Sequence, residues 1–166
     1  VRRDERRAHL HQGLNAMKIA VGSDHAGLAL KREVVDLLKG RMRLISEFVE
    51  FGSYFFHDPA AYEASARDKY WKAPETGGWL EALAERLNGL ATFTLESAEA
   101  AVRAYAEELG LNAAKLIHPT RLALTGFGVS PGLFEVMGLL GKEKVVGRLK
   151  KAASIIARES IIEVTS

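Results

Sequence analysis

The chain changes character at Gly40, and the stretch beyond that glycine constrains the fold most. From Arg41 to Arg158 the apolar residues return at three- and four-residue steps, in stretches bounded by residues that start or stop helices. Val102, Tyr105, Ala106 and Leu109 share one helical face, as do Leu133, Val136, Met137 and Leu140. Where capping signals and apolar spacing agree over so long a run, helices packed against helices are the expected outcome.

The spacing predicts a helix over 41–56 and a second from the Asp58-Pro59 start to Trp71. Pro74, Gly77 and Gly78 then predict a break over 73–78, before a third helix over 79–90. Thr94 is placed to cap a fourth helix, which ends in a left-handed turn at Gly110. A fifth, over 113–124, accommodates Pro119 only with a bend or a break. Gly126-Phe127-Gly128 is a turn, and Ser130-Pro131 repeats the cap-plus-proline start. A sixth helix over 132–140 stops at Gly141, and a last covers 142–158, leaving an ambiguous tail.

Ahead of Gly40 the pattern differs. Lys18–Gly22 is a continuous apolar run closed by a glycine, as in a short buried strand. Ser23-Asp24-His25 can cap a helix to Lys39, with Leu28, Leu30, Val34, Val35, Leu37 and Leu38 on its apolar face. One strand–helix unit cannot pair its own edges, and no second strand is evident further along. The expected fold class is therefore mainly α: a helical bundle with a short N-terminal strand–helix appendage over 17–40. Residues 1–16 read as a basic, mobile tail and 152–166 as a C-terminal tail.

Composition narrows the chemistry. The 166 residues are 48% hydrophobic and 27% charged, ordinary globular values that suit one domain with an appendage. There is no cysteine, which excludes a disulfide framework, a thiolate metal site and a cysteine nucleophile. His9, His11, His25, His57 and His118 lack metal-ligand spacing, so no metal is expected. No apolar run approaches the ~18 residues of a bilayer span, and no signal-peptide core succeeds the basic start; a cytoplasmic protein is expected. The net charge of +2 hides a gradient: +3 over 1–56, −5 over 57–110 and +4 over 111–166. The basic C-terminal part suits a phosphate backbone, although so mild a gradient equally describes a solvated surface.

The string KLIHPTRLALTGFGVSPGLFEVMGLLGKEKVVGRL, Lys115–Leu149, resembles the C-terminal anticodon-binding segment of bacterial glutamyl-tRNA synthetases. The shared pattern is an R-x-A-L-T-G run, a glycine turn, then S-P-G-L-F-E and L-L-G-K-E. RMRLISEFVEFGSYFF, HDPAAYEASARDKYWK and SAEAAVRAYAEELGL are similar to the preceding helices of that domain, so the resemblance covers 41–151. Phe127 stands where the family carries Arg or Ser. The resemblance implies an anticodon-binding helix cage whose partner is the anticodon arm of a glutamate tRNA. It implies RNA contacts at Arg121, Ser130, Pro131, Leu133 and Phe134, with His118 beside them. Splayed anticodon bases are read by stacking and on their edges, which suits an arginine fork, a helix start and an aromatic. By residue type alone, Leu133 and Phe134 are core residues and Arg121 a surface arginine. Gly126-Phe127-Gly128 comes after a helix, which argues against a dinucleotide loop.

MKIAVGSDHAGLALKREVVDLLKG, Met17–Gly40, resembles the start of B-type ribose-5-phosphate isomerases, which implies a sugar-phosphate contact at Asp24 and His25. That family's usual base is a cysteine in a later glycine-rich loop, and this chain has none. Three readings are open. The first is a tRNA-binding module without a catalytic site, whose ATP and magnesium chemistry belongs to a synthetase body. The second is a divergent sugar-phosphate isomerase. The third is a fusion product whose two parts have no joint function.

Overall fold

The computed structural model describes residues 32–37 and 52–164. Every regular element among them is a helix. Contacts divide the chain into two units, Val1–Arg32 and Glu33–Ser166. The predicted strand Lys18–Gly22, with Asp24 and His25, lies outside the described residues. Helical segments occupy 32–37 and 52–56. Six longer helices follow among the described residues: α1 (Ala64–Tyr70), α2 (Glu75–Asn88), α3 (Leu95–Glu108), α4 (Ala114–Thr125), α5 (Leu133–Leu140) and α6 (Lys142–Val164).

The core forms along α2 and α6, the most extensively packed pair. Leu80, Leu83, Ala84 and Leu87 make the α2 stripe, and Val145, Leu149, Ala152 and Ile156 the α6 stripe, all buried at helical spacing. The predicted break over 73–78 is replaced by the first turns of α2. Pro74 sits at its N-cap, where a missing N–H costs nothing, and both glycines are helical. Gly77 is buried, and a Cβ there would stand 3.4 Å from Ile156 Cγ2 and 3.5 Å from the Ala153 carbonyl. The glycine lets two helices approach closely, a long-range reason that overrides its local role as a breaker. Lys142 secures the other end of the pair, donating from Nζ to the carbonyls of Asn88 (3.1 Å) and Leu90 (2.7 Å).

Local signals hold elsewhere. Thr94 accepts from Ser97 N–H while Ser97 Oγ accepts from Thr94 N–H, a reciprocal cap that starts α3. Gly110, Gly126 and Gly141 have φ of +65°, +84° and +78°. Of the expected bend or break at Pro119 there is no break: α4 continues through it. The proline frees only the Lys115 carbonyl, in the first turn of α4 beside an exposed side chain, where water can serve it. α6 runs past Arg158 to Val164, so the expected tail begins inside a helix, with Ile156 buried.

The Asp58-Pro59 start is the clearest departure. Residues 57–63 are not helical, and α1 begins at Ala64 with no side-chain cap. Asp58 instead accepts from Arg148 Nε on α6 at 2.8 Å. Arg148 is 2% exposed and also donates to the carbonyls of Leu124 (2.7 Å) and His57 (3.1 Å). A buried guanidinium so satisfied prevails over the cap, and it clamps the 57–63 segment and the C-terminal end of α4 onto α6.

Candidate nucleic-acid interface

The turn between α4 and α5 is built from backbone requirements upward. Thr125 Oγ1 lies 2.8 Å from the Arg121 carbonyl and accepts from Phe127 N–H at 3.1 Å, which folds the chain back as α4 ends. Gly126 is needed twice, for its positive φ and because a Cβ would stand 2.8 Å from the Ala61 carbonyl. Glu63 N–H donates to the Gly126 carbonyl at 2.8 Å, and Gly128 N–H to Glu63 Oε2 at 2.9 Å. Bonds from Ser65 and Gly128 hold the Glu63 carboxyl below its ordinary pKa. The turn is thus strapped to the start of α1.

On this corner Arg121 projects from α4. Its Nε donates to Ser130 Oγ at 3.1 Å, and Nη1 lies 3.1 Å from His118 Nδ1. Of its five N–H donors these bonds use two. Arg121 is half-buried, and burial lowers its pKa, with partial opposition from Tyr70 and Tyr54. It forms no ion pair with a carboxylate of the described residues. A half-buried cation with donors to spare suits an acceptor-rich or anionic ligand.

The other predicted residues divide. Ser130 does not cap α5; it donates to the Pro131 carbonyl at 2.8 Å and accepts from Arg121. The cap falls to Gly132, and the carboxylate of Glu135 folds back into the space a Gly132 Cβ would take. The start of α5 therefore already faces an anion from its own first turn. Pro131 is buried and Leu133 is 3% exposed, so both support the turn from beneath. Phe134 is half-buried and faces α3, with Arg103 Cζ 5.9 Å from its ring centroid. Arg121, Ser130 and His118 thus form one bonded group, and Phe134 stands with Arg103.

Sequence reasoning missed three residues here. Tyr70, on α1, stacks on His118 with centroids 4.8 Å apart and planes 10° apart. Lys69 Nζ lies 5.3 Å from the Tyr70 ring centroid. Val129, beside Ser130, is 76% exposed and offers apolar surface at the tip of the turn. Nothing local distinguishes a tyrosine so far upstream of His118. Only the docking of α1 on α4 does so, fixed by Trp71 Nε1 donating to the Pro119 carbonyl.

Comparison with known proteins agrees with this architecture. A family model described as "Anticodon binding domain" matches residues 10–153, running through the predicted boundary at Gly40. The chain is 40% identical over 130 residues to the glutamate–tRNA ligase of Moorella thermoacetica, covering 78% of this chain and 26% of that protein. It is 38% identical over 124 residues to the glutamate–tRNA ligase of Chlorobium phaeovibrioides, covering 75% and 24%. The chain spans about a quarter of the length of these curated relatives. The fold matches a crystal structure of a glutamate tRNA ligase from Elizabethkingia meningosepticum in complex with its amino acid. That match has a TM-score of 0.71 at 26% identity and covers 92% of this chain and 28% of the other. With the family match spanning most of the chain and the helical fold in agreement, this chain belongs to the anticodon-binding domain family.

Proposed function

We propose that this chain binds the anticodon arm of a glutamate tRNA at the α4–α5 corner, as part of protein biosynthesis in the cytoplasm. Arg121 carries the reading. It is half-buried and, among the described residues, faces no carboxylate and leaves three donors unused, a poor arrangement for a structural arginine and a suitable one for a base edge or phosphate. Ser130 holds the guanidinium, Val129 adds exposed apolar surface next in sequence to Ser130, and Pro131 and Leu133 brace the turn, while Phe134 stands apart with Arg103 on the α3 side. The names of the relatives support glutamate as the tRNA identity. In this reading the chain takes no nucleotide cofactor of its own. ATP and magnesium belong to the parts of a ligase outside the matched quarter.

Binding to an anticodon stem-loop with a salt titration tests this. Wild type prefers the glutamate anticodon to an altered loop, and the slope of log K against log salt counts the phosphates neutralised. Arg121→Ala weakens binding by ~1–3 kcal/mol and narrows the preference. Equal affinity of wild type and variant removes Arg121 from the site. The isomerase reading rests on Asp24 and His25, outside the described residues, and is tested by a coupled ribose 5-phosphate assay in which Asp24→Ala abolishes turnover.

A further inference from the structure

Tyr70 has no role in the proposed RNA contact, yet it lies flat against the His118 imidazole that touches Arg121. We infer that Tyr70 and His118 form a positioning relay that fixes the plane of the Arg121 guanidinium and so sets which base the RNA site accepts; this rests on the proposed RNA-binding role of the corner.

An arginine on a free stem samples many rotamers, and base discrimination needs its fork held in one plane. Two of its three nitrogens are held here: Nε by Ser130 Oγ and Nη1 by His118 Nδ1. Because guanidinium only donates, Nδ1 accepts, and the imidazole is neutral with its proton on Nε2. The parallel Tyr70 ring sets the imidazole plane, and the neighbouring Trp71 pins that end of α1 to α4 through the Pro119 carbonyl. Nη2 and the outer Nη1 hydrogen remain for the ligand. Among the described residues the titratable and charged groups around the imidazole are Lys69 and Tyr70 of α1 and Arg121 of α4, with Tyr54 of the 52–56 segment near Arg121. Burial first, then the Arg121 and Lys69 charges, hold the His118 pKa below its ordinary value, so the acceptor form prevails at neutral pH. A proton on Nδ1 would turn a donor toward a donor and release Arg121.

Base discrimination is read as the ratio of Kd values for stem-loops with the glutamate and an altered anticodon, between pH 5 and 8, for wild type, His118→Gln, His118→Leu, Tyr70→Phe and Tyr70→Leu. The wild-type ratio is flat above pH 7 and falls as the imidazole protonates. His118→Leu and Tyr70→Leu lower the ratio by about tenfold while the salt slope, which counts phosphates, stays unchanged. Tyr70→Phe retains the stack and the ratio. His118→Gln, whose amide oxygen can accept, retains the ratio and loses its pH dependence. Nitrogen-15 spectra of the imidazole independently report a proton on Nε2. A wild type that discriminates while His118→Leu does so equally overturns the relay alone. A wild type that binds both loops equally removes the RNA reading and the relay with it.

Discussion

Arg148 and Arg121 serve the same corner and are treated in opposite ways. Arg148 is sealed, and its three nitrogens are met by the Asp58 carboxylate and by the carbonyls of Leu124 and His57. Arg121 is half open, held by a hydroxyl and an imidazole, with donors left over. A buried cation with all three nitrogens bonded and no opening to solvent cannot take up a ligand without disturbing the packing around it, so it serves rigidity. An incompletely met one costs folding something and can recover it on binding. The contrast separates an arginine that builds the corner from one that uses it.

Arg148→Met measures the largest consequence. It removes three charge-assisted bonds and leaves the carbonyl of buried Leu124 without its donor, while the exposed Asp58 carboxylate turns to water, and is expected to cost about 3 kcal/mol in urea unfolding. If it costs no more than Arg121→Met, the contrast fails. Gly126→Ala is next, at about 2–3 kcal/mol, because positive φ and contact with the Ala61 carbonyl both oppose a side chain. Arg121→Ala should lower stability by less than ~1 kcal/mol while weakening RNA binding by ~1–3 kcal/mol, the reverse of Arg148→Met. The smallest effect is linked to pH. His118 has a lowered folded-state pKa, so its contribution is complete above the unfolded value of 6.5 and is lost as pH falls through the folded value. The unfolding midpoint of wild type should therefore drop more than that of His118→Gln between pH 7 and 5.

Among the described residues the helices, most of their stops and the anticodon-binding-domain resemblance were legible in the sequence, because these depend on neighbours a few residues apart; residues 41–51 of the predicted first helix lie outside the described residues. The Thr94 cap and the turns at Gly110, Gly126 and Gly141 are local chemistry in this sense. The departures share the opposite cause. Asp58 is drawn from its cap by an arginine on α6, Gly77 is kept helical by Ile156, and Ser130 is taken from its cap by Arg121. Within the site, the motif pointed to Arg121, Ser130 and His118. The apolar spacing placed Leu133 on the core face, where it lies, against the contact the motif implied; that Tyr70 completes the group was not legible, since it depends on how α1 docks on α4.

The reach of α6 has a practical consequence for anyone cutting this chain. The family match stops at residue 153, yet Ile156 seals the bare backbone of Gly77. Arg67 pairs with Glu159, beyond the same boundary. A fragment trimmed where the family pattern ends would lose the far edge of its longest seam, and its loose end would be mistaken for an unstable fold.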